Sequence, residues 1–203
     1  MSSLCIWGTS ITWGAFDTEK GGWVNRLRLH FDINDIYLDV YNLGITGETS
    51  AGILERFETE AKAREPEIIV FDVGINDAAY IQAENRHQIE KEQFESNLKL
   101  LVKKAKKFTG NIFLIVPKGV DESKTNPIPW HPELSYLNKD IAQYADVVRK
   151  VSKEAGATCV EIGELKADDL YDGLHPNARG HEKIFQEIKK FLEKEKILPS
   201  PNS

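Results

Sequence analysis

Apolar positions along this chain alternate between two rhythms. Short, nearly continuous apolar runs alternate with longer stretches in which apolar residues return at helical spacing. The run Leu4-Cys5-Ile6-Trp7 predicts a buried first strand that ends at Gly8. Ile36 to Leu43 alternates and is rich in β-formers, so it predicts a second strand. Ile68 to Val73 is apolar on both faces over most of its length, as a central parallel strand covered by helices would be. Asn111–Val116 and Thr158–Ile162 complete a set of five strands.

Helical spacing fills the intervals. Trp23–His30 predicts a first helix after a Gly-rich loop over residues 13–21. A second, capped by Thr49 or Ser50, carries Ile53, Leu54 and Phe57 and stops before Pro66, because the residue before a proline is driven out of helical geometry. Residues 89–108 place Phe94, Leu98, Leu101, Val102 and Ala105 on one stripe. Leu137–Ala155 and residues 178–197 are the last two helices. The order βαβαβαβαβα, with no break in composition, predicts one α/β domain over residues 1–198 with a parallel sheet between helical layers. The polar end, residues 199–203, is expected to be disordered.

Composition narrows the function. A chain of 203 residues can bury a full core. Its net charge of −6 disfavours a nucleic-acid or anionic-membrane surface, which needs a clustered basic face. Lys103, Lys104, Lys106 and Lys107 fall in a helical pattern and are expected to form a solvated face. No run approaches the roughly 20 apolar residues of a membrane span. The first strand begins too close to Met1 for a secretory leader, so a cytoplasmic protein is expected. Cys5 and Cys159 lie in predicted strands and are expected to serve as small core residues. His30, His87 and His131 show no metal spacing, and His181-Glu182 lacks the second histidine of a zinc motif. No phosphate-binding glycine loop and no G-x-S-x-G elbow occurs, so neither metal nor cofactor is expected. The oligomeric state stays open.

The candidate chemistry lies in loops that follow strands, where open α/β sheets place their ligands. Ser10 follows the first strand and is a candidate nucleophile, although Ser10 or Thr12 would also serve as a turn or helix cap. Gly44 follows the second strand, and its N–H has no side chain in front of it. Asn76 follows the third and offers a side-chain NH₂. Together with the Ser10 amide, these are donors suited to an oxyanion, though a turn glycine and a self-bonded loop asparagine are ordinary alternatives. In Asp172-Gly173-Leu174-His175-Pro176 the proline holds His175 extended. The turn brings the Asp172 carboxylate or its backbone against one imidazole nitrogen. A base oriented in this way is what a weak hydroxyl nucleophile requires; a surface histidine in a turn is the bland alternative.

These four blocks, Gly8-Thr9-Ser10-Ile11-Thr12, Asn42-Leu43-Gly44, Gly74-Ile75-Asn76-Asp77 and Asp172-Gly173-Leu174-His175-Pro176, resemble in type and order those of the SGNH hydrolases, also called GDSL esterases. The resemblance spans nearly the whole chain. It implies a three-layer α/β/α flavodoxin-like fold with a five-stranded parallel sheet, and a serine ester hydrolase acting on a small-molecule ester; short-chain carboxyl esters, acetylated sugars, lysophospholipids and acyl thioesters all stay open as its substrate. It assigns Ser10, His175 and Asp172 to a triad and Ser10, Gly44 and Asn76 to an oxyanion hole. One position departs: Thr9 stands where the family often has Asp, which is expected to change packing beneath the nucleophile turn. A non-catalytic binding module of the same fold would be expected to lack one of the four side chains. A flavodoxin-like flavin or nucleotide binder would use the hydroxyl-rich Thr9–Thr12 stretch for phosphate.

Residues 117–136 hold Pro117, Pro127, Pro129 and Pro132 around Trp130 and His131. A loop this long is usually functional, and its prolines limit its freedom. Trp130 and His131 are therefore candidate substrate-binding residues, with Trp130 offering a flat face to an acyl chain or a sugar ring. Alternatively, Trp130 packs the loop onto the domain.

Overall fold

The computed structural model describes residues 2–197, so the expected disordered tail at 199–203 lies outside the described residues. In chain order the elements are β1 (Ser2–Gly8), α1 (Ser10–Trp13), α2 (Trp23–Ile33), β2 (Leu38–Gly44), α3 (Ser50–Arg64), β3 (Ile68–Asp72), β4 (Tyr80–Ile81), β5 (Arg86–His87), α4 (Lys91–Ala105), β6 (Ile112–Ile115), α5 (Glu122–Thr125), β7 (Leu134–Ser135), α6 (Asn138–Ala155), β8 (Thr158–Val160) and α7 (Ala178–Lys194). The main sheet has the order β2-β1-β3-β6-β8, and all its pairings are parallel. This is the flavodoxin-like order the resemblance implied.

Period-two alternation assigns each strand residue to one of two cores. Cys5, Trp7, Ile69, Phe71, Ile112 and Leu114 face α3, α4 and α6, against Phe57, Leu98, Leu101 and Val148. Leu4, Ile6, Ile68, Val70, Phe113 and Ile115 face α2 and α7, against Trp23, Leu27, Phe31 and Phe185. Both faces of the inner strands are covered, which is why those strands read as continuous apolar runs. Cys5 is fully buried and burial pushes its thiol up to about 12, so it is inert packing. Cys159 is only half-buried, because β8 is an edge strand with one neighbour.

Register positions the site. Gly8 at the end of β1 pairs with Gly44 at the end of β2 and with Asp72 at the end of β3. The chain leaves β1 for β2 on one side and later returns to place β3 on the other. The strand order therefore reverses next to β1, and this opens a crevice at the carboxyl edge. Ser10 and Asn76 emerge on either side of that crevice.

One stretch expected to be a loop carries structure. Segment 117–136 contains α5 and β7, and β7 pairs antiparallel with β4. With β5 this makes a second, three-stranded sheet, too short in each strand for any periodicity to show in sequence. The N-terminus of α3 also differs from expectation. Thr49 occupies the cap position without a side-chain bond. The Asp77 carboxylate accepts instead from the Ser50 amide and hydroxyl, a long-range cap supplied by the β3 loop.

Candidate active site

Ser10 is the first residue of α1, a four-residue helix that begins directly after β1. Thr9, at the position where the family often has Asp, caps it: the Ile11 amide donates to Thr9 Oγ1 at 3.3 Å. At the first helical position the Ser10 amide has no intrahelical acceptor and remains available as a donor. Ser10 Oγ lies 2.9 Å from His175 Nε2 in a buried contact. His175 Nδ1 lies 2.8 Å from Asp172 Oδ2. The other oxygen, Asp172 Oδ1, accepts from the amides of Leu174 at 3.0 Å and His175 at 2.8 Å. Burial pushes the Asp172 carboxyl up, but the bonds from the His175 ring and these two amides outweigh it and hold the group below the usual carboxylate range. Nδ1 is thus the protonated nitrogen, and Nε2 faces Ser10 as an acceptor.

The loop that carries His175 is closed on itself. The Tyr171 amide donates to the His175 carbonyl at 2.8 Å, and Leu170 bridges Pro176. Gly173 has φ +94°, and a β-carbon there would stand 2.7 Å from Lys124 Cβ, so glycine is required on both counts. The Gly173 carbonyl accepts from the Asp121 amide at 2.9 Å, which docks the loop on α5. Asn177 then caps α7, its Oδ1 accepting from the Arg179 and Gly180 amides.

The opposite side holds Asn76 and Gly44. Asn76 is buried; its Nδ2 donates to the Glu48 carbonyl at 2.9 Å and its Oδ1 accepts from the Tyr136 hydroxyl at 2.9 Å. These two bonds fix which end of the amide is the donor and leave the second hydrogen of Nδ2 uncommitted. Gly44 closes β2 rather than sitting in a turn. Its amide is not free as expected, since it donates to Asn42 Oδ1 at 3.0 Å. The glycine is needed because β2 presses against α1: a β-carbon would lie 2.3 Å from the Trp13 nitrogen.

Nothing along the chain singles out Tyr136 in advance. It is buried, and burial together with the nearby Asp172 charge pushes its phenol up to about 12, so it remains a donor to Asn76. A single tyrosine at a loop end carries no pattern; only the β7–β4 pairing brings it here. Trp130 is 51% exposed, with its ring 5.9 Å from that of His175. Ile128 and Thr125, in the same segment, are buried. His131 is exposed, and no hydrogen bond joins its ring to the triad. Asp72, at the end of β3, lines a small cavity together with Ile11, Leu174 and Pro176, the immediate neighbours of Ser10 and His175. Its carboxyl accepts from Thr12 Oγ1 at 2.6 Å, and burial raises it to about 6.

Among the described residues, no grouping of histidine, cysteine, aspartate or glutamate side chains could hold a metal ion, and no helix is long and apolar enough to cross a membrane.

A hydroxyl, an imidazole and a carboxylate in hydrogen-bonded series at the carboxyl edge of a flavodoxin-like sheet define a hydrolase of the serine type. The profile of the GDSL-like lipase/acylhydrolase family matches residues 6–183, and the chain belongs to that family. It is similar to the human isoamyl acetate-hydrolyzing esterase 1 homolog, with 27% identity over 94% of this chain and 81% of the relative. It is 24% identical to an acetylxylan esterase of Geobacillus stearothermophilus over 72% of this chain and 68% of that one. Among solved structures, the psychrotrophic esterase EstA of Pseudoalteromonas sp. superposes with a TM-score of 0.75 at 22% identity, covering 96% of this chain and 98% of that one. The protein is a serine ester hydrolase of the SGNH type.

Proposed function

We propose that this chain hydrolyses a small carboxyl ester through an acyl-enzyme on Ser10. The observation that carries this is the continuous chain Ser10 Oγ–His175 Nε2–Asp172, at 2.9 and 2.8 Å. Ser10 Oγ bonds to the ester carbonyl carbon as its proton passes to His175 Nε2. The carbonyl oxygen becomes the oxyanion. The carbon–oxygen bond to the alcohol then breaks, and His175 returns the proton to the departing alkoxide. Water repeats the sequence on the acyl-enzyme and releases the acid.

Asn76 Nδ2 and the Ser10 amide are the preformed donors to the oxyanion. The Gly44 amide joins them by sharing its hydrogen between Asn42 Oδ1 and the oxyanion. Trp130 walls the substrate site beside His175. Both curated relatives above are named for acetate esters, which supports a short acyl group. Structures of catalytic mutants of the acetylxylan esterase replace a serine, an aspartate and a histidine, the residue types joined in series here.

The test is Ser10→Ala, assayed on a panel of chromogenic esters of increasing acyl length. Hydrolysis should be lost with the melting temperature nearly unchanged, and a fluorophosphonate probe should label the wild type at Ser10 alone. Undiminished turnover in the variant would remove Ser10 from the mechanism.

A further inference from the structure

Phe16 stands out as an anomaly of the backbone. It has φ +63°, a left-handed conformation that a bulky side chain rarely adopts and that costs roughly 1–2 kcal/mol. Such a conformation persists only when the surroundings impose it, and here they act on both neighbours. His181 Nε2 donates to the Ala15 carbonyl at 2.9 Å. The Asp17 carboxylate accepts from the amides of Glu19, Lys20 and Gly22 and from the Arg26 guanidinium, which also reaches Glu182. The strain does not serve the core, because Phe16 is 43% exposed. Its ring lies parallel to that of Tyr171, with centroids 4.3 Å apart and planes 11° off parallel, and 5.2 Å from the imidazole of His175. Tyr171, the residue before Asp172, is also exposed. Two elements far apart in sequence thus hold an open, stacked aromatic pair against the catalytic base.

The reaction fixes what that place is for. His175 Nε2 must hand its proton to the departing alcohol oxygen, so the alcohol lies within hydrogen-bond reach of the imidazole. The carbonyl oxygen is drawn away, toward Asn76. Groups around the imidazole therefore border the alcohol half of the ester and not the acyl half. Flat rings exposed there match a partner with a broad ring face, planar in an aryl group and lined by C–H groups in a pyranose, which gains from ring-face contact in a way that a short linear alcohol does not.

We propose that Phe16 and Tyr171 form a subsite for esters whose alcohol is a ring, aryl or pyranose, and that Trp130 bounds the same subsite. This rests on the assignment of Ser10 and His175 above. The acyl half is left to the Gly44 and Asn76 side, so selectivity for alcohol and for acyl length are separable.

The experiment compares wild type, Phe16→Ala, Tyr171→Ala and the double variant on two substrate series. One holds the acyl group as acetate and varies the alcohol: phenyl acetate, an acetylated methyl pyranoside and ethyl acetate. The other holds ethanol and lengthens the acyl group. Tyr171→Ala relieves no backbone strain and so guards against a folding artefact at Phe16. Each single variant should lower kcat/KM about five- to tenfold on the ring alcohols, with ethyl acetate within twofold and the acyl-length ratios unchanged. A loss on only one of the two ring classes assigns the subsite to that class. Equal losses on ethyl acetate, or losses that follow acyl length, would overturn the subsite while leaving the triad standing. A wild type that hydrolyses none of these esters and takes no fluorophosphonate overturns both.

Discussion

The two flanks of Ser10 are built by opposite means. On the acid–base side, Asp172 and His175 are three residues apart, and both oxygens of Asp172 are engaged by its own loop. On the side proposed for the oxyanion, Asn76 is oriented by Glu48 and Tyr136, which lie 28 and 60 residues away. The carboxyls follow the same division. Asp172, with its local donors, is held below its ordinary range. Asp72 and Asp77, on the strand and loop that lead to and carry Asn76, are each raised to about 6 because burial outweighs the donors they receive. The acid–base flank is thus a self-contained turn that ionisation favours. The oxyanion flank is assembled by tertiary contacts over carboxyls that resist ionisation.

The largest effects should come from the local flank. His175→Ala should lower kcat by roughly 10⁴–10⁶, since the imidazole itself moves the proton. Asp172→Ala should cost one to two orders less, because it orients and stabilises that ring. Equal losses in the two variants would erase the distinction. On the distributed flank, Asn76→Ala should lower kcat by roughly 10²–10³ with little change in KM, the signature of a donor that acts on developing charge. A rise in KM alone would make Asn76 a ground-state contact.

Tyr136→Phe sharpens the same point with a smaller effect. It removes one hydroxyl that fixes Asn76 and should lower kcat about tenfold, leaving KM in place, by the usual energy of one hydrogen bond. As a positioning residue it acts through Asn76, so in an Asn76→Ala background the same change should have almost no effect. Additive losses in the double variant would show that Tyr136 works by some other route.

The smallest effect is on stability. Asp72 is raised in the folded protein, so its favourable contribution is complete below about pH 3.8 and is lost as pH rises through about 6. Ionised at pH 8, the buried carboxyl weighs against the fold. Asp72→Asn keeps an acceptor for Thr12 without the charge. Its melting temperature should exceed that of the wild type at pH 8 by on the order of 5 °C and approach it at pH 4.5. A difference that does not vary with pH would show that Asp72 stays neutral or is reached by solvent.

Legibility followed the same divide. The five strands of the main sheet, the five longer helices, the α/β class and the position of the Ser10, Gly44 and Asn76 blocks at strand ends could be read from the chain, because periodicity and turn chemistry act over a few neighbouring residues. The Asp172–His175 pair was readable for the same reason: proline and glycine dictate its turn. The segment around Trp130 is legible as a whole, but not Tyr136 within it, whose hydroxyl reaches Asn76. Its two-residue strand is too short to leave a pattern. The freedom expected of the Gly44 amide was wrong in detail because Asn42, on the same strand, folds back to accept from it.

The sequence by itself determined the order of elements, the burial of both sheet faces and the residue types delivered to the carboxyl edge. These depend on spacing along a single chain. Only the tertiary structure decided how those residues are aimed: Tyr136 on Asn76, Asp77 on Ser50, and Phe16 forced into a left-handed turn beside Tyr171 and His175. Each joins residues far apart in sequence through a few hydrogen bonds or ring contacts. Such contacts have no period and arise only when the sheet closes its register.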